Sequence, residues 1–255
     1  MKRVLIILSV FVLAINSFAA WESGALREPG HGDIKINYEA ARAWNGDKLW
    51  AGPAFTGFRF IPTQNIELSF LGEDICKPTC TYTVGARYEF AKAFRTYLDF
   101  GLPFQDSYWT FRGGVQTSGS IGGVVGFAAG LGYRYETEND AKYQFPMGLD
   151  MGIGFGLGLS KHSSIGLDLD YSRNLNNAKQ NGNEIKSGKG KAWKNAVEPK
   201  LSLWYTGDGN ISLSPYIKFG FGDAYRYFKE DGTENGNDKG LKPALMIGTA
   251  GVWSF

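Results

Sequence analysis

Histidine and cysteine occur only twice each in this chain of 255 residues. Two histidines, His31 and His162, leave little material for general-base catalysis. Cys76 and Cys80 have no histidine nearby, so they cannot complete the four-ligand shell of a structural zinc, and no metal site is expected. Beyond the N-terminus there is no apolar run of about 18 residues or more, which excludes a bundle of membrane-spanning helices. An excess of charge is lacking too. Once the leader described below is removed, the 27 basic residues fall to 25 against 25 acidic ones. A near-neutral chain offers no electrostatic reason to bind nucleic acid. Nucleotide loops are also missing. Gly152, Gly154, Gly156 and Gly158 recur at period two rather than as G-x-G-x-x-G, and no phosphate-loop lysine accompanies them. No cofactor is expected.

What the chain does have starts with an export signal. Lys2 and Arg3 precede a nearly unbroken apolar run from Val4 to Ile15, and Ser17-Phe18-Ala19 presents small residues where a signal peptidase reads them. Residues 1–19 are therefore read as a cleaved signal peptide, with Ala20 as an alternative cleavage point, and residues 20–255 as one β-barrel domain. In an oxidising compartment Cys76 and Cys80 suit a small disulfide staple; two free thiols are the alternative.

Glycine (35 residues) and aromatic residues (15%) are abundant, and proline (9) is scarce. That composition belongs to many closely packed strands. Period-two alternation locates them. From Tyr143 to Leu159 every odd position is apolar from Phe145 onward, while the even positions 148–158 are Gly or Asp. Strand side chains alternate between faces, so one face is greasy and the other small or polar. Eleven further segments pass the same test, beginning at Ile34-Ile36-Tyr38 and ending at Leu245–Phe255. Twelve antiparallel strands are expected, with ten or fourteen as alternatives.

The links between segments sort by parity. Pro62–Gln64, Ala91–Ala93, Thr117–Ser120, Lys161–Ser163 and Thr206–Asn210 are short. The alternate links, Gly72–Cys80, Glu136–Lys142, Asn174–Trp193 and Arg226–Lys239, are longer and more polar. Short turns on one rim and long loops on the other are the layout of a transmembrane barrel with an even strand number. Aromatic residues gather at both rims: Trp44, Trp50, Tyr108, Trp109, Tyr135, Tyr143, Tyr171, Trp193, Tyr225 and Tyr227 near the long loops, and Phe60, Phe90, Phe94, Tyr205, Trp253 and Phe255 near the short turns. Amphipathic rings favour the headgroup level of a bilayer.

The last segment, Ile247 to Phe255, carries Ile247, Thr249, Gly251, Trp253 and Phe255 on one face. It resembles the terminal strand of bacterial outer-membrane β-barrel proteins of the porin-like kind, though it identifies no subfamily. The resemblance implies residence in the cell outer membrane with lipid around the barrel. It also implies that Trp253 and Phe255 close the barrel and are read by the barrel-assembly machinery.

If the greasy face meets lipid, the other face lines the lumen. Lys35, Arg59, Arg87, Arg112, Arg134, Lys200, Lys218 and Lys242 then point inward, with Glu39, Glu67, Glu89, Asp99, Asp150, Asp168, Asp170 and Glu198. Two arrangements are open. A water-filled pore could present segregated charged walls to a small polar solute, or the charges could pair across a narrow interior. The glycines at 148–158 leave open space or room for Trp204 or Tyr216. Passive passage of small polar solutes is the leading expectation. A closed surface-binding barrel, with Lys179, Lys186, Lys189, Lys191 and Lys194 in one loop, is the second. His162-Ser163-Ser164 invites comparison with membrane-embedded lipid hydrolases, but it sits on a short turn with no third orienting group and reads as a surface turn. The chain is not expected to be an enzyme.

Overall fold

The computed structural model describes residues 28–43, 49–73, 81–102, 108–121, 125–140, 142–160, 162–184, 195–207, 210–222 and 244–255. Residues 1–19, Cys76, Cys80, Lys242 and the lysines at 186–194 lie outside them.

Twelve long strands carry the alternation: β1 (Gly32–Ala43), β2 (Leu49–Thr63), β3 (Ile66–Glu73), β4 (Thr81–Ala91), β5 (Phe94–Leu102), β6 (Thr110–Ile121), β7 (Val125–Glu136), β9 (Gly148–Gly158), β10 (Ser163–Asn174), β13 (Asn195–Thr206), β14 (Ile211–Gly222) and β15 (Ala244–Ser254). Three two-residue strands, β8 (Tyr143–Gln144), β11 (Lys179–Gln180) and β12 (Asn183–Glu184), form a separate small sheet. Each long strand pairs antiparallel with its neighbours in the chain, and β1 pairs with β15, so the sheet closes with no free edge. Closure matters because a membrane interior offers no water to satisfy an edge strand's backbone groups.

The greasy face is outside. Ile36, Phe58, Leu68, Val84, Leu98, Val115, Leu131, Ile153, Leu167, Leu201, Leu213 and Ile247, one from each long strand, are all exposed. Soluble proteins rarely expose a contiguous apolar patch beyond a few hundred Å². An apolar belt around a closed barrel is therefore a surface made for hydrocarbon. Tyr88, Phe90, Phe94, Tyr205, Trp253 and Phe255 stand exposed at the end bearing the short turns, and Trp109 at the other. At the seam Phe255 stacks on Phe58 with ring centroids 6.1 Å apart, and Gly32 and Phe255 exchange two backbone hydrogen bonds of 3.0 Å.

Two details differ from the alternation pattern. Tyr143 to Leu159 is not one strand: Tyr143–Gln144 belongs to the small sheet, and the barrel strand begins at Gly148. Pro146 interrupts it, since proline cannot donate to a ladder. Thr117–Ser120 is not a turn. It continues β6, paired residue by residue with Ala129, Ala128, Phe127 and Gly126 of β7. Ser118 is buried beside Arg95 on the inner face, and Gly119 lies against the Phe127 ring.

The small sheet ties two long loops together. Asn181 (φ 51°) and Gly182 (φ 75°) form the turn between β11 and β12. Two successive positive φ values are the mark of the tight two-residue hairpin that Asn-Gly favours. Leu175 N–H donates to Met147 O at 2.8 Å, and Met147 N–H donates to Asn176 Oδ1 at 2.7 Å.

Candidate functional site

The lumen is where the polar residues go, because alternation sends every second side chain inward. Lys35, Glu39, Arg59, Glu67, Arg87, Asp99 and Asp168 are buried there, while Glu89, Arg112, Arg134, Asp150, Asp170, Glu198, Lys200 and Lys218 are half-buried.

Near the short-turn rim the charges form a chain across adjacent strands. Ser254 Oγ donates to Asp33 Oδ1 at 2.7 Å, and Arg59 Nε donates to Asp33 Oδ2 at 2.6 Å. Arg59 Nη1 lies 3.7 Å from Glu67 Oε2, and Arg87 Nη1 lies 3.4 Å from Glu67 Oε1 and donates to Ser69 Oγ at 3.0 Å. Arg87 Nη2 continues to Asp99 Oδ2 at 3.9 Å. Arg95, next to this chain, donates to Ser118 Oγ at 3.3 Å and is only 1% exposed. An interior carboxylate or guanidinium persists only when paired in this way. This end of the lumen is packed.

Toward the long loops the interior loosens. Lys200 Nζ meets Asp168 Oδ2 at 2.9 Å, and Lys218 Nζ lies 3.5 Å from Glu198 Oε2 and 3.8 Å from Glu39 Oε2. Arg134 bridges Glu136 at 3.0 Å and Asp150 at 3.3 Å. The side chains of Lys200 and Lys218 are 22% and 21% exposed, those of Glu198 and Asp150 31% and 35%. Water reaches these groups. The charges at Lys200, Lys218, Glu198 and Asp150 are thus less enclosed than those around Arg59, Arg87 and Arg95.

Trp204 and Tyr216 pack with Ala250, on β13 to β15, and Val252 lies against them. Sequence reasoning passed over Asp33, Arg95 and Glu136 as lumen residues. Parity finds them: Asp33 is two residues before Lys35, Arg95 four before Asp99, and Glu136 two after Arg134. His162 is held by the backbone, its Nδ1 3.0 Å from Thr206 O, while Ser163 Oγ pairs with Ser160 Oγ at 2.6 Å.

No family model matches the sequence, and no curated protein matches it. Among solved structures, an outer membrane channel from Pseudomonas putida F1 aligns with a TM-score of 0.64 at 10% identity, covering 91% of this chain and 97% of that one. The fold is that of an outer-membrane channel. The NanC porin aligns with a TM-score of 0.49 at 13% identity, over 86% of this chain and 98% of its own. The KdgM porin gives 0.46 at 16%, over 87% and 99%. With its apolar belt and closed twelve-strand sheet, this porin-like barrel belongs to the cell outer membrane.

Proposed function

We propose that the barrel is a passive channel for small polar solutes, which enter the charged vestibule and are sieved at the Arg59–Arg87–Arg95 constriction. The observation that carries this reading is the unequal enclosure of the lumen charges: the side chains of Asp150 and Glu198 are 35% and 31% exposed, whereas Arg95 is 1% exposed. A merely structural interior would be packed from end to end. Selection is electrostatic, by fixed charges close to the path, and needs no cofactor. The same reading makes outer-membrane lipid the solvent of the belt and the barrel-assembly machinery the reader of Trp253 and Phe255. The test is single-channel recording from folded protein in planar bilayers. Steady salt conductance supports the channel; correctly folded barrels with no current above background refute it. The second reading, a closed barrel, draws on the near-complete burial of Asp33, Glu67 and Arg87, and the same recording separates the two.

A further inference from the structure

Most lumen charges are paired through at least one atom, whereas three neutral groups on one level each carry an enclosed polar atom with no partner among the described residues. Ser164 of β10 pairs in register with Trp204 of β13, and Ser214 of β14 with Ala250 of β15, which also pairs with Asn37 of β1. Trp204 and Ser214 share a level, between the pairs Ser202–Tyr216 and Tyr205–Leu213. The inward side chains of one level thus run Ser164, Trp204, Ser214, Ala250, Asn37 around one wall. Among the described residues, Trp204 Nε1, Ser214 Oγ and Asn37 Oδ1 are enclosed and have no hydrogen-bond partner. Trp204 is 6% exposed and Ser214 1%. A buried indole N–H or hydroxyl usually finds a partner, because leaving it without one costs free energy. Three such groups on one level point to something that arrives from the lumen.

We propose that Trp204, Ser214 and Asn37 form a binding station for a small, uncharged, polyhydroxylated solute. This rests on the channel reading and names its substrate class. The row offers an N–H donor, a hydroxyl that donates and accepts, and an amide that does either according to its orientation. Hydroxyl groups on a sugar or polyol match that mixture, whereas a carboxylate only accepts. The apolar face of the indole suits the C–H face of a sugar ring, as aromatic walls with a few placed polar groups do in ligand sites generally. The charges nearby are already committed: Glu39 accepts from Tyr216 at 2.9 Å, and Lys200 holds Asp168 at 2.9 Å. The row lies one inward level from the Tyr216 ring, on the side away from Lys200 and Lys218.

The experiment uses folded barrel in a detergent without sugar headgroups for calorimetric titration, and in planar bilayers for current block. The probes are glucose, sucrose and sodium glucuronate. The expected result is binding and current block by glucose or sucrose, with glucuronate weaker. Trp204→Leu should weaken saccharide binding about tenfold or more, and Trp204→Phe and Ser214→Ala less, as expected for loss of one hydrogen bond. If Trp204→Leu does not fold, the other two variants decide. Binding of neither neutral saccharide, equal binding of glucuronate, or wild-type affinity in the variants overturns the station. Conductance without saccharide binding sinks this inference alone; binding without conductance sinks the channel and leaves the station standing.

Discussion

The phenol of Tyr216 on β14 donates to Glu39 Oε2 on β1 at 2.9 Å, although β15 runs between the two strands. Gly248 of β15 makes the reach possible. It is the register partner of both Tyr216 and Glu39, and a Cβ there would lie 2.5 Å from the phenolic oxygen and 2.8 Å from the backbone oxygen of Tyr38. Gly248→Val should therefore displace the Tyr216 ring, break its bond to Glu39 and cost about 1–3 kcal/mol. Urea unfolding of refolded barrel measures it. Adding Tyr216→Ala should recover part of the loss but not all, because the Tyr38 carbonyl cannot move aside. Wild-type stability for Gly248→Val alone would refute the crossing.

Arg59 and Asp33 are a buried ion pair with a 2.6 Å contact and side chains 3% and 1% exposed. Removing one partner strands the other, so Arg59→Met should cost about 3–5 kcal/mol. The double variant Arg59→Met, Asp33→Leu should cost less than the sum of its two single variants, since no carboxylate is left behind at that pair. A double-mutant cycle in the unfolding free energies checks this, and strict additivity would show that the two groups do not depend on each other.

The fold was legible because one rule, period two, acts along the whole chain: Ile153 and Leu167 point out because Gly154 and Asp168 point in. The failures came where composition competed with that rule. Thr117-Ser-Gly-Ser120 looks like a turn, yet its parity continues β6, with Ser118 buried inward beside Arg95. Tyr143–Leu159 keeps its apolar parity across Pro146, where the ladder must stop. Asp33 and Arg95 lie at strand ends, beyond the bulky apolar residues that anchor the pattern. The pairing of the lumen charges was out of reach altogether. It depends on the register between neighbouring strands, which sets Arg87 opposite Glu67, and on glycines such as Gly248 that let a side chain cross a neighbour.

Leu167 stands mid-strand on β10, 50% exposed on the outer face, and Ile211 begins β14 at the rim, 57% exposed. Their similar exposure hides different surroundings if the belt sits in a bilayer. Leu167→Arg should cost about 2–4 kcal/mol in lipid vesicles and Ile211→Arg about 0–1 kcal/mol. Unfolding in vesicles of fixed composition gives both values. Equal, small costs would mean that the outer face does not meet hydrocarbon.

Arg95 is enclosed inside the barrel among charges of both signs. It is almost wholly enclosed, bonded to Ser118, and lies within electrostatic reach of Glu67 and Glu89 as well as of Arg59 and Arg87. Arg95→Ser removes most of a long side chain from the tightest level and takes one positive charge from a path that two glutamates share. Single-channel conductance should rise, and the reversal potential in a salt gradient should shift toward cations, because fixed charge in a narrow, low-dielectric lumen acts on ions over short range. Arg87→Ser should act in the same direction. It also releases Glu67 and Asp99, its partners at 3.4 Å and 3.9 Å, so the cation shift should be larger. If both variants fold and neither conductance nor reversal potential moves, solutes do not pass this level of the barrel.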